Sequence, residues 1–175
     1  MKSGSILVGI LLLLTSISAN AVMYENRELT DNQIYTIQRA YELGESSGYG
    51  LTLAAIALTE SRAGKFLINN RTGDYGVFQN NLKYTVKRVE QLTGAKMGWR
   101  QQRKLRYELI NSMESSANYA LMELEYWKKI RNGDWKMVVK SYNAGYNPNS
   151  ADGIEYYERI AKNIKFLRSC GCYRQ

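Results

Sequence analysis

The stretch Leu53-Ala54-Ala55-Ile56-Ala57-Leu58-Thr59-Glu60-Ser61-Arg62 runs six apolar residues into a polar end that carries a carboxylate. The apolar run predicts a buried helix, with Glu60 close to its C-terminus. A charged side chain is costly in an apolar environment unless it is paired or keeps its proton. The negative end of the helix dipole opposes ionisation in the same direction. Glu60 is therefore a candidate general acid, and an ordinary surface glutamate at a helix end is the alternative.

The rest of the chain is predicted to be mostly helical and to form one domain. Asp31 is expected to cap a helix that ends near Glu45, and the apolar helix follows at 51–59. Further helical patterns cover residues 83–92, 100–111, 115–130, 135–143 and 153–167. Residues 65–81 are rich in turn formers and predict a loop or a small hairpin, with a short extended piece at Tyr75-Gly76-Val77-Phe78.

The first 21 residues have the pattern of a secretory signal peptide. Lys2 precedes the apolar run from Ile6 to Leu14, and Ala19-Asn20-Ala21 fits a cleavage site. The apolar run is far shorter than the roughly 20 residues of a transmembrane helix, although a retained N-terminal anchor is the alternative. We expect an exported protein of the periplasm or cell envelope, with its mature domain at residues 22–175.

The charge and residue content limit the kinds of chemistry. The net charge is +8, and a basic exported protein suits an anionic partner such as a cell wall or a membrane surface. The tightest basic cluster, Arg100, Arg103, Lys104 and Arg106, is less dense than a nucleic-acid-binding arm, and a solvated helix face explains it equally well. The sequence contains no histidine, which excludes Ser-His-Asp, Cys-His and histidine-based zinc chemistry.

The two cysteines, Cys170 and Cys172, lie two positions apart near the C-terminus. They cannot form a structural zinc site without other ligands. A disulfide between them would close a small ring, and pairing with another chain or free thiols are equally open. We expect neither a metal nor a cofactor.

Two polar segments further along the chain suit a groove for an extended polar polymer. Residues 72–81 place two glycines and a series of amide side chains around an apolar pair, and Ser141-Tyr142-Asn143-Ala144-Gly145 ends a predicted helix at a glycine. A plain hairpin, core packing of Tyr142 and helix capping by Asn143 are the structural alternatives.

Taken together, these segments resemble the lytic transglycosylases of the lysozyme-like superfamily. That family has an E-S pair, a G-x-x-G-[LV]-[MF]-Q segment, an [AS]-Y-N-A-G segment and a late Y-x-x-x-[IV]. This chain has, in the same order, Glu60-Ser61, Gly73 to Gln79, Tyr142 to Gly145, and Tyr156 to Ile160. The resemblance implies a mostly α, lysozyme-like fold (α+β with a minimal β-hairpin) that is two-lobed with a saccharide groove.

The resemblance also implies an activity and roles for particular residues. The implied reaction cleaves the MurNAc–GlcNAc β-1,4 bond of peptidoglycan and forms 1,6-anhydroMurNAc, with Glu60 as the single catalytic acid/base and Tyr142 at a catalytic position beside the reacting sugar. The candidate substrate-binding residues are Ser61, Asn70, Asp74, Gln79, Asn143 and Tyr156. Ser61 also suits a structural role at the helix end. Asn70 replaces a family serine, and its amide can still hydrogen-bond the carboxyl group of Glu60.

One departure from the family pattern keeps other functions open. Asp74 stands where the family usually has a small residue, and Asp74 to Asn81 resembles the D-Y-G-x-x-Q-x-N segment of animal-type lysozymes. A retaining hydrolase using Glu60 and Asp74 is therefore an alternative, as is an inactive peptidoglycan-binding module of a secretion or conjugation assembly. The implied partners are peptidoglycan glycan strands and, as a further candidate, an envelope-spanning secretion, pilus or conjugation apparatus. No nucleic acid, and no membrane after signal cleavage, is expected.

Overall fold

The structure is a computed structural model that describes residues 21–174. These residues form seven helices: α1 (Asp31–Glu45), α2 (Gly50–Ser61), α3 (Leu82–Thr93), α4 (Trp99–Asn111), α5 (Met113–Ile130), α6 (Trp135–Ala144) and α7 (Ala151–Cys170). Five two-residue strands accompany them: β1 (Met23–Tyr24), β2 (Arg27–Glu28), β3 (Ile68–Asn69), β4 (Asp74–Tyr75) and β5 (Asn80–Asn81). The mostly helical prediction is confirmed, whereas the predicted signal peptide lies, apart from Ala21, outside the described residues.

The start of α1 differs from the prediction by one residue. Thr30, and not Asp31, caps this helix, because the Thr30 hydroxyl accepts a hydrogen bond of 3.3 Å from the backbone N–H of Gln33. The Gln33 side chain accepts one of 3.1 Å from the Thr30 N–H in return. This reciprocal capping box satisfies two N–H groups that the helix itself cannot pair. Asp31 is then the first helical residue, where its charge suits the positive end of the helix dipole.

Helix α2 lies at the centre of the larger hydrophobic core. Its residues 52–58 are buried on every side, as expected for a helix without a polar face. Helices α1, α5 and α7 pack around it. Arg62 ends the helix in the left-handed conformation, with φ of 51°, and its N–H bonds the Ala57 carbonyl. The chain therefore turns away directly after Glu60 and Ser61.

A second, smaller core lies beside the first. It consists of the buried side chains Tyr75, Val86, Leu105 and Leu109. Since Tyr75 belongs to β4, Val86 to α3 and the two leucines to α4, this core ties the small sheet to those two helices. The chain thus has two hydrophobic centres, and the segments that join them border the cleft described below.

The sheet in residues 68–81 is antiparallel, with β4 between β3 and β5. The extended piece predicted at Tyr75-Gly76-Val77-Phe78 is wrong beyond Tyr75, because the chain turns at Gly76. There φ is +81°, and a Cβ atom would lie 2.1 Å from the Leu109 carbonyl oxygen. Glycine is the residue that fits both the left-handed backbone and this close approach of α4.

Two features near the chain ends complete the described part. The β1–β2 hairpin, which sequence patterns did not predict, is held against α7 because the Tyr24 hydroxyl donates a 3.0 Å hydrogen bond to Asn163. Cys170 and Cys172 form a disulfide with each other. Within residues 21–174, no helix combines the length and the apolar character needed to cross a membrane.

Candidate active site

A cleft of about 510 Å³ lies where the two cores meet. It is bordered by the end of α2, by the strands β4 and β5, and by faces of α3, α5 and α6. Five of the residues singled out in the sequence line it: Glu60, Asp74, Gln79, Tyr142 and Asn143. Tertiary structure therefore brings together residues that are up to 83 positions apart in the chain.

Glu60 is the acidic group whose protonation is most altered by its surroundings. Burial raises the pKa of Glu60 to about 7, and a smaller contribution in the same direction comes from the charge of Asp74. The nearby Tyr156 hydroxyl and the positive charge of Arg159 oppose this rise. Burial has the largest effect because Glu60 lies at the end of an apolar helix, where the surroundings disfavour the charged form of the carboxyl group. Near neutral pH a large fraction of Glu60 therefore keeps its proton, which is the property that a general acid needs.

Two tyrosines flank Glu60. The rings of Tyr142 and Tyr156 are stacked, with centroids 6.2 Å apart and an interplanar angle of 14°. Burial, followed by the nearby Glu60 charge, raises the pKa of both phenols well above their ordinary value. The Tyr156 hydroxyl is buried and has no hydrogen bond of regular geometry within the described part of the chain, yet it lies close enough to lower the pKa of Glu60. Both hydroxyls are therefore neutral groups beside the carboxyl.

The small sheet and the turn after it supply the polar wall of the cleft. The Asp74 carboxylate accepts hydrogen bonds from the Thr72 hydroxyl and, at 2.8 Å, from the Asn81 amide. The Gln79 amide nitrogen donates to the carbonyl oxygens of Gly76 and Phe66, at 2.9 and 3.2 Å. These bonds fix the turn and leave the Gln79 amide oxygen as the group that can face a ligand.

Helix α6 contributes a further part of the cleft lining. Asn143 is exposed in the last turn of this helix and lines the cleft, and Gly145 follows with a positive φ of 59°. The glycine ends the helix where residues 146–150 turn towards α7. Asn143 therefore presents a free amide at the cleft edge, and it does not cap the helix.

Three of the predicted substrate-binding residues do not line the cleft. Tyr156 is buried next to Glu60 and is not exposed to a ligand. Ser61 is fully buried, and its hydroxyl donates to the Ala57 carbonyl at 3.1 Å and accepts from the Gly64 N–H at 2.8 Å. Its role is thus to close the end of α2. The expected hydrogen bond from Asn70 to Glu60 is absent from the described residues. The Asn70 amide oxygen accepts hydrogen bonds from Tyr75 and Arg106, both at 3.3 Å.

Sequence patterns missed an ion pair and an aromatic group that also line the cleft. Arg88 on α3 binds Glu123 on α5 through two contacts of 3.0 and 3.1 Å. Tyr126 and Tyr146 share a hydrogen bond between their hydroxyls, and Trp127 packs edge-on against both rings. The partners come from separate helices and a loop, so no spacing in the sequence pairs them. The two adjacent aromatic residues Tyr126 and Trp127 were the one local feature of the sequence that could have indicated this aromatic group.

The described residues contain no group of three or more acidic or cysteine side chains arranged to hold a metal ion. The polar groups that line the cleft include carboxyl, phenol, amide, guanidinium, ammonium and hydroxyl groups. The arrangement therefore combines one acid with a raised pKa, neutral hydroxyls next to it and several amide side chains in the lining. Such a site suits proton transfer to a polar ligand held along the cleft.

Comparison with known proteins identifies the family. Residues 51–165 match the Transglycosylase SLT domain, a region that includes Glu60, the small sheet and the segments at Tyr142 and Tyr156. The chain is also 29% identical over 175 residues to a protein of Enterobacteria phage T4 described as an uncharacterized 20.7 kDa protein in the vs-regB intergenic region, covering 90% of this chain and 93% of the relative. No solved structure matches the chain. Since the matched region spans well over half of the sequence, the chain belongs to the transglycosylase SLT domain family.

Proposed function

We propose that this protein is an exported peptidoglycan lytic transglycosylase that cleaves the MurNAc–GlcNAc β-1,4 bond and leaves a 1,6-anhydroMurNAc end. The observation that carries the proposal is the position of Glu60, whose pKa burial raises to about 7 in a polar cleft. The family membership supplies peptidoglycan as the substrate. The cleft between the two hydrophobic cores is the groove that would hold the glycan strand.

Glu60 would act twice in the reaction. As an acid it gives its proton to the glycosidic oxygen, so that the bond from this oxygen to the anomeric carbon of MurNAc breaks and the next sugar leaves with a hydroxyl group. As a carboxylate it then takes the proton from the C6 hydroxyl of the same MurNAc. The C6 oxygen bonds the anomeric carbon and closes the anhydro ring. The substrate's own acetamido group can stabilise the positive charge between the two steps, so this route needs no second carboxylate.

The neighbouring residues suit supporting roles in this reaction. The neutral hydroxyls of Tyr142 and Tyr156 lie close to Glu60 and keep the site polar without adding charge. Gln79 and Asn143, which both line the cleft, are placed to hydrogen-bond the acetamido and hydroxyl groups of the bound sugars. Amide side chains suit this task because each one both donates and accepts hydrogen bonds.

The location and partners form part of the same proposal. The signal-peptide pattern at residues 1–21 and the net charge of +8 support an exported protein of the periplasm or cell envelope, where anionic wall polymers lie. A wall-cleaving domain of this size suits local opening of the wall for a secretion, pilus or conjugation apparatus.

A retaining hydrolase is the second candidate, because Asp74 lines the same cleft and raises the pKa of Glu60. In such an enzyme the second carboxylate lies about 5 Å from the acid and attacks the sugar or stabilises its charge. The Asp74 carboxylate is already held by two donors, Thr72 and Asn81. This bonding favours a role in fixing the sheet, so we rank the hydrolase below the transglycosylase.

Mass spectrometry of purified peptidoglycan after digestion distinguishes the candidates. The transglycosylase gives muropeptides that end in 1,6-anhydroMurNAc and are lighter by one water than the products of hydrolysis. Reducing-end MurNAc would overturn the proposal in favour of the hydrolase. If the folded protein binds peptidoglycan and yields no product, the binding-module alternative replaces both. Glu60→Gln, which keeps the shape of the side chain and removes its acidity, is the matched control.

A further inference from the structure

The positive charge of this protein is concentrated in one region that the proposed reaction does not use. Residues 82–111, which form α3, α4 and their connection, contain eight lysine or arginine residues and two glutamates. This segment therefore carries +6 of the net charge of +8. Of these eight cations, Arg88 forms an ion pair in the cleft lining, with Glu123. Most of the others lie on the outside of the molecule.

Helix α4 gathers much of this charge on one face. Its apolar side packs Leu105 and Leu109 into the smaller core. The exposed side chains that point away from that core form the basic aromatic face, which consists of Trp99, Arg100, Arg103, Lys104 and Tyr107. Helical spacing places these five residues on one outward side, because positions three and four apart are neighbours on a helix surface. Glu108 is the single acidic residue in the helix, and it pairs weakly with Lys104 at 3.6 Å.

Large apolar side chains are exposed among these cations. Trp99 is 67% exposed, and Leu92, at the end of α3 and joined to Trp99 by a short connection, is also 67% exposed. The Arg100 guanidinium lies 5.2 Å from the Trp99 ring. A tryptophan beside arginines and lysines is typical of helices that lie in the interface of a membrane, where the ring reaches the headgroup level and the cations face anionic lipids.

We propose that the basic aromatic face of α4 binds the surface of an anionic phospholipid bilayer, with Trp99 inserted among the headgroups. No residue of α4 lines the cleft, so the face stays accessible while the cleft holds a ligand. The contact is peripheral and requires no membrane-spanning helix. It revises the expectation that the mature chain has no membrane partner.

Nucleic acid fits this face less well than a bilayer does. Single strands are bound in a groove along which aromatic rings stack on successive bases. Here the two aromatic residues lie on the convex outside of a helix, Tyr107 two turns from Trp99. A flat anionic surface can contact the whole face at once, whereas a strand could follow only part of it. Exposed Leu92 and Trp99 also gain from an apolar environment, which a bilayer provides and a polyanion does not.

The test is sedimentation with vesicles, using the chain from Val22 onward, which contains both hydrophobic cores. Vesicles of phosphatidylcholine with about one third phosphatidylglycerol are compared with vesicles of phosphatidylcholine alone. We expect binding to the anionic vesicles that falls as salt is raised. The variant R100E/R103E/K104E is expected to partition at least a hundredfold more weakly, given the usual contribution of each cation near an anionic leaflet. Trp99→Ala, which keeps the charge, should lose about tenfold.

Matched variants separate this face from net charge alone. K162E/K165E/R168E makes the same charge change at three exposed positions of α7, and Phe66→Ala removes another ring that is half exposed. The loss of binding caused by each of these variants should be less than a third of the loss caused by its counterpart on α4, which is R100E/R103E/K104E for the triple variant and Trp99→Ala for Phe66→Ala. The proposal is wrong if the unmodified protein does not bind anionic vesicles, or if the two triple variants lose binding equally. It is also wrong if duplex DNA or polyphosphate binds this face while vesicles do not.

Discussion

The Tyr142 hydroxyl, on α6, donates a hydrogen bond of 3.1 Å to the carbonyl oxygen of Phe78, in the turn between β4 and β5. This bond joins two segments that are 64 residues apart. Since the hydroxyl proton is used there, what Tyr142 can still offer a ligand is its oxygen as an acceptor. Tyr142 therefore stabilises the turn that carries Gln79, and only its hydroxyl oxygen remains to take part in the reaction.

Tyr142→Phe should therefore lower stability as well as activity. The substitution leaves the Phe78 carbonyl without its partner in a buried position, and such a loss typically costs about 1–3 kcal/mol. Urea unfolding measures the change. Tyr146→Phe is the matched control, because the Tyr146 hydroxyl bonds Tyr126 at an exposed position, and it should change the free energy of unfolding by less than about 0.5 kcal/mol. Equal effects of the two variants would contradict the structural role of Tyr142.

Gly76 and Gly73 provide a second matched pair. Both have a φ of +81°, but a Cβ atom at Gly76 would lie 2.1 Å from the Leu109 carbonyl oxygen, whereas a Cβ atom at Gly73 would have no neighbour within 4 Å. Gly73→Ala should cost about 1–2 kcal/mol for the left-handed backbone alone. Gly76→Ala adds a clash with the backbone of α4 and should cost more than about 4 kcal/mol or prevent folding. Similar free energies of unfolding for both variants would show that α4 does not approach the turn so closely.

Glu60→Gln should abolish cleavage and change how stability depends on pH. The pKa of the Glu60 carboxyl is about 7 in the folded chain against the ordinary 4.5. Between these two values the folded chain holds the proton and the unfolded chain does not, so stability falls as the pH rises through this window. Each tenfold difference in proton affinity is worth about 1.4 kcal/mol, and the full penalty above pH 7 therefore amounts to about 3 kcal/mol.

Unfolding of the two proteins at several pH values tests this expectation. The Glu60→Gln variant should match the unmodified protein near pH 4 and exceed its stability by about 1–3 kcal/mol at pH 8. Cleavage by the unmodified protein should fall as the pH rises above about 7, because the acid loses its proton. Retained cleavage by the variant would refute the assignment of Glu60. If the stability of the two proteins changed with pH in the same way, the burial of the Glu60 carboxyl group would be refuted.

Asp74→Asn distinguishes the two reaction types within the same cleft. In a transglycosylase the variant should keep at least about one fifth of the cleavage rate, since the amide oxygen that replaces the carboxylate can still accept a hydrogen bond from Thr72 or Asn81. In a retaining hydrolase the same change removes the second carboxylate, and the rate should fall by at least a thousandfold. Removing the Asp74 charge should also move the pH limit set by Glu60 slightly downward, because Asp74 raises the pKa of Glu60.

The Arg88–Glu123 pair should be strongly coupled. Its side chains are 11% and 23% exposed, so removing either one leaves a poorly hydrated charge in the cleft wall. Arg88→Met or Glu123→Leu alone should cost about 2–4 kcal/mol. The double variant should cost clearly less than the sum, and a double-mutant cycle measures the difference. Additive losses would show that the two groups do not stabilise each other.

Local patterns in the sequence were sufficient for the helices and for the candidate acid. Each predicted helix is present, because the positions of apolar residues and capping residues act over a few neighbouring residues. The apolar run before Glu60 and the negative end of the helix dipole favoured a raised pKa over that of an ordinary surface glutamate, and burial does raise the pKa of Glu60. The cap of α1 was placed one residue too late, at Asp31 instead of Thr30. At Gly76, where the extended piece was wrong, a contact from outside the local sequence matters, because α4 lies too close for any Cβ atom.

Which residues face the cleft was decided by tertiary structure. Ser61 and Asn70 belong to segments with the right pattern, yet Ser61 is buried beneath the end of α2 and Asn70 binds Tyr75 and Arg106. Arg88 and Glu123 have no pattern that pairs them, and they meet because α3 and α5 pack side by side. Local sequence was enough to predict which segments are helical and which carboxyl group lies against the core, since both depend on nearby residues. Only the packing of distant helices decided the walls of the cleft, because contacts between side chains far apart in the chain leave no periodic signal.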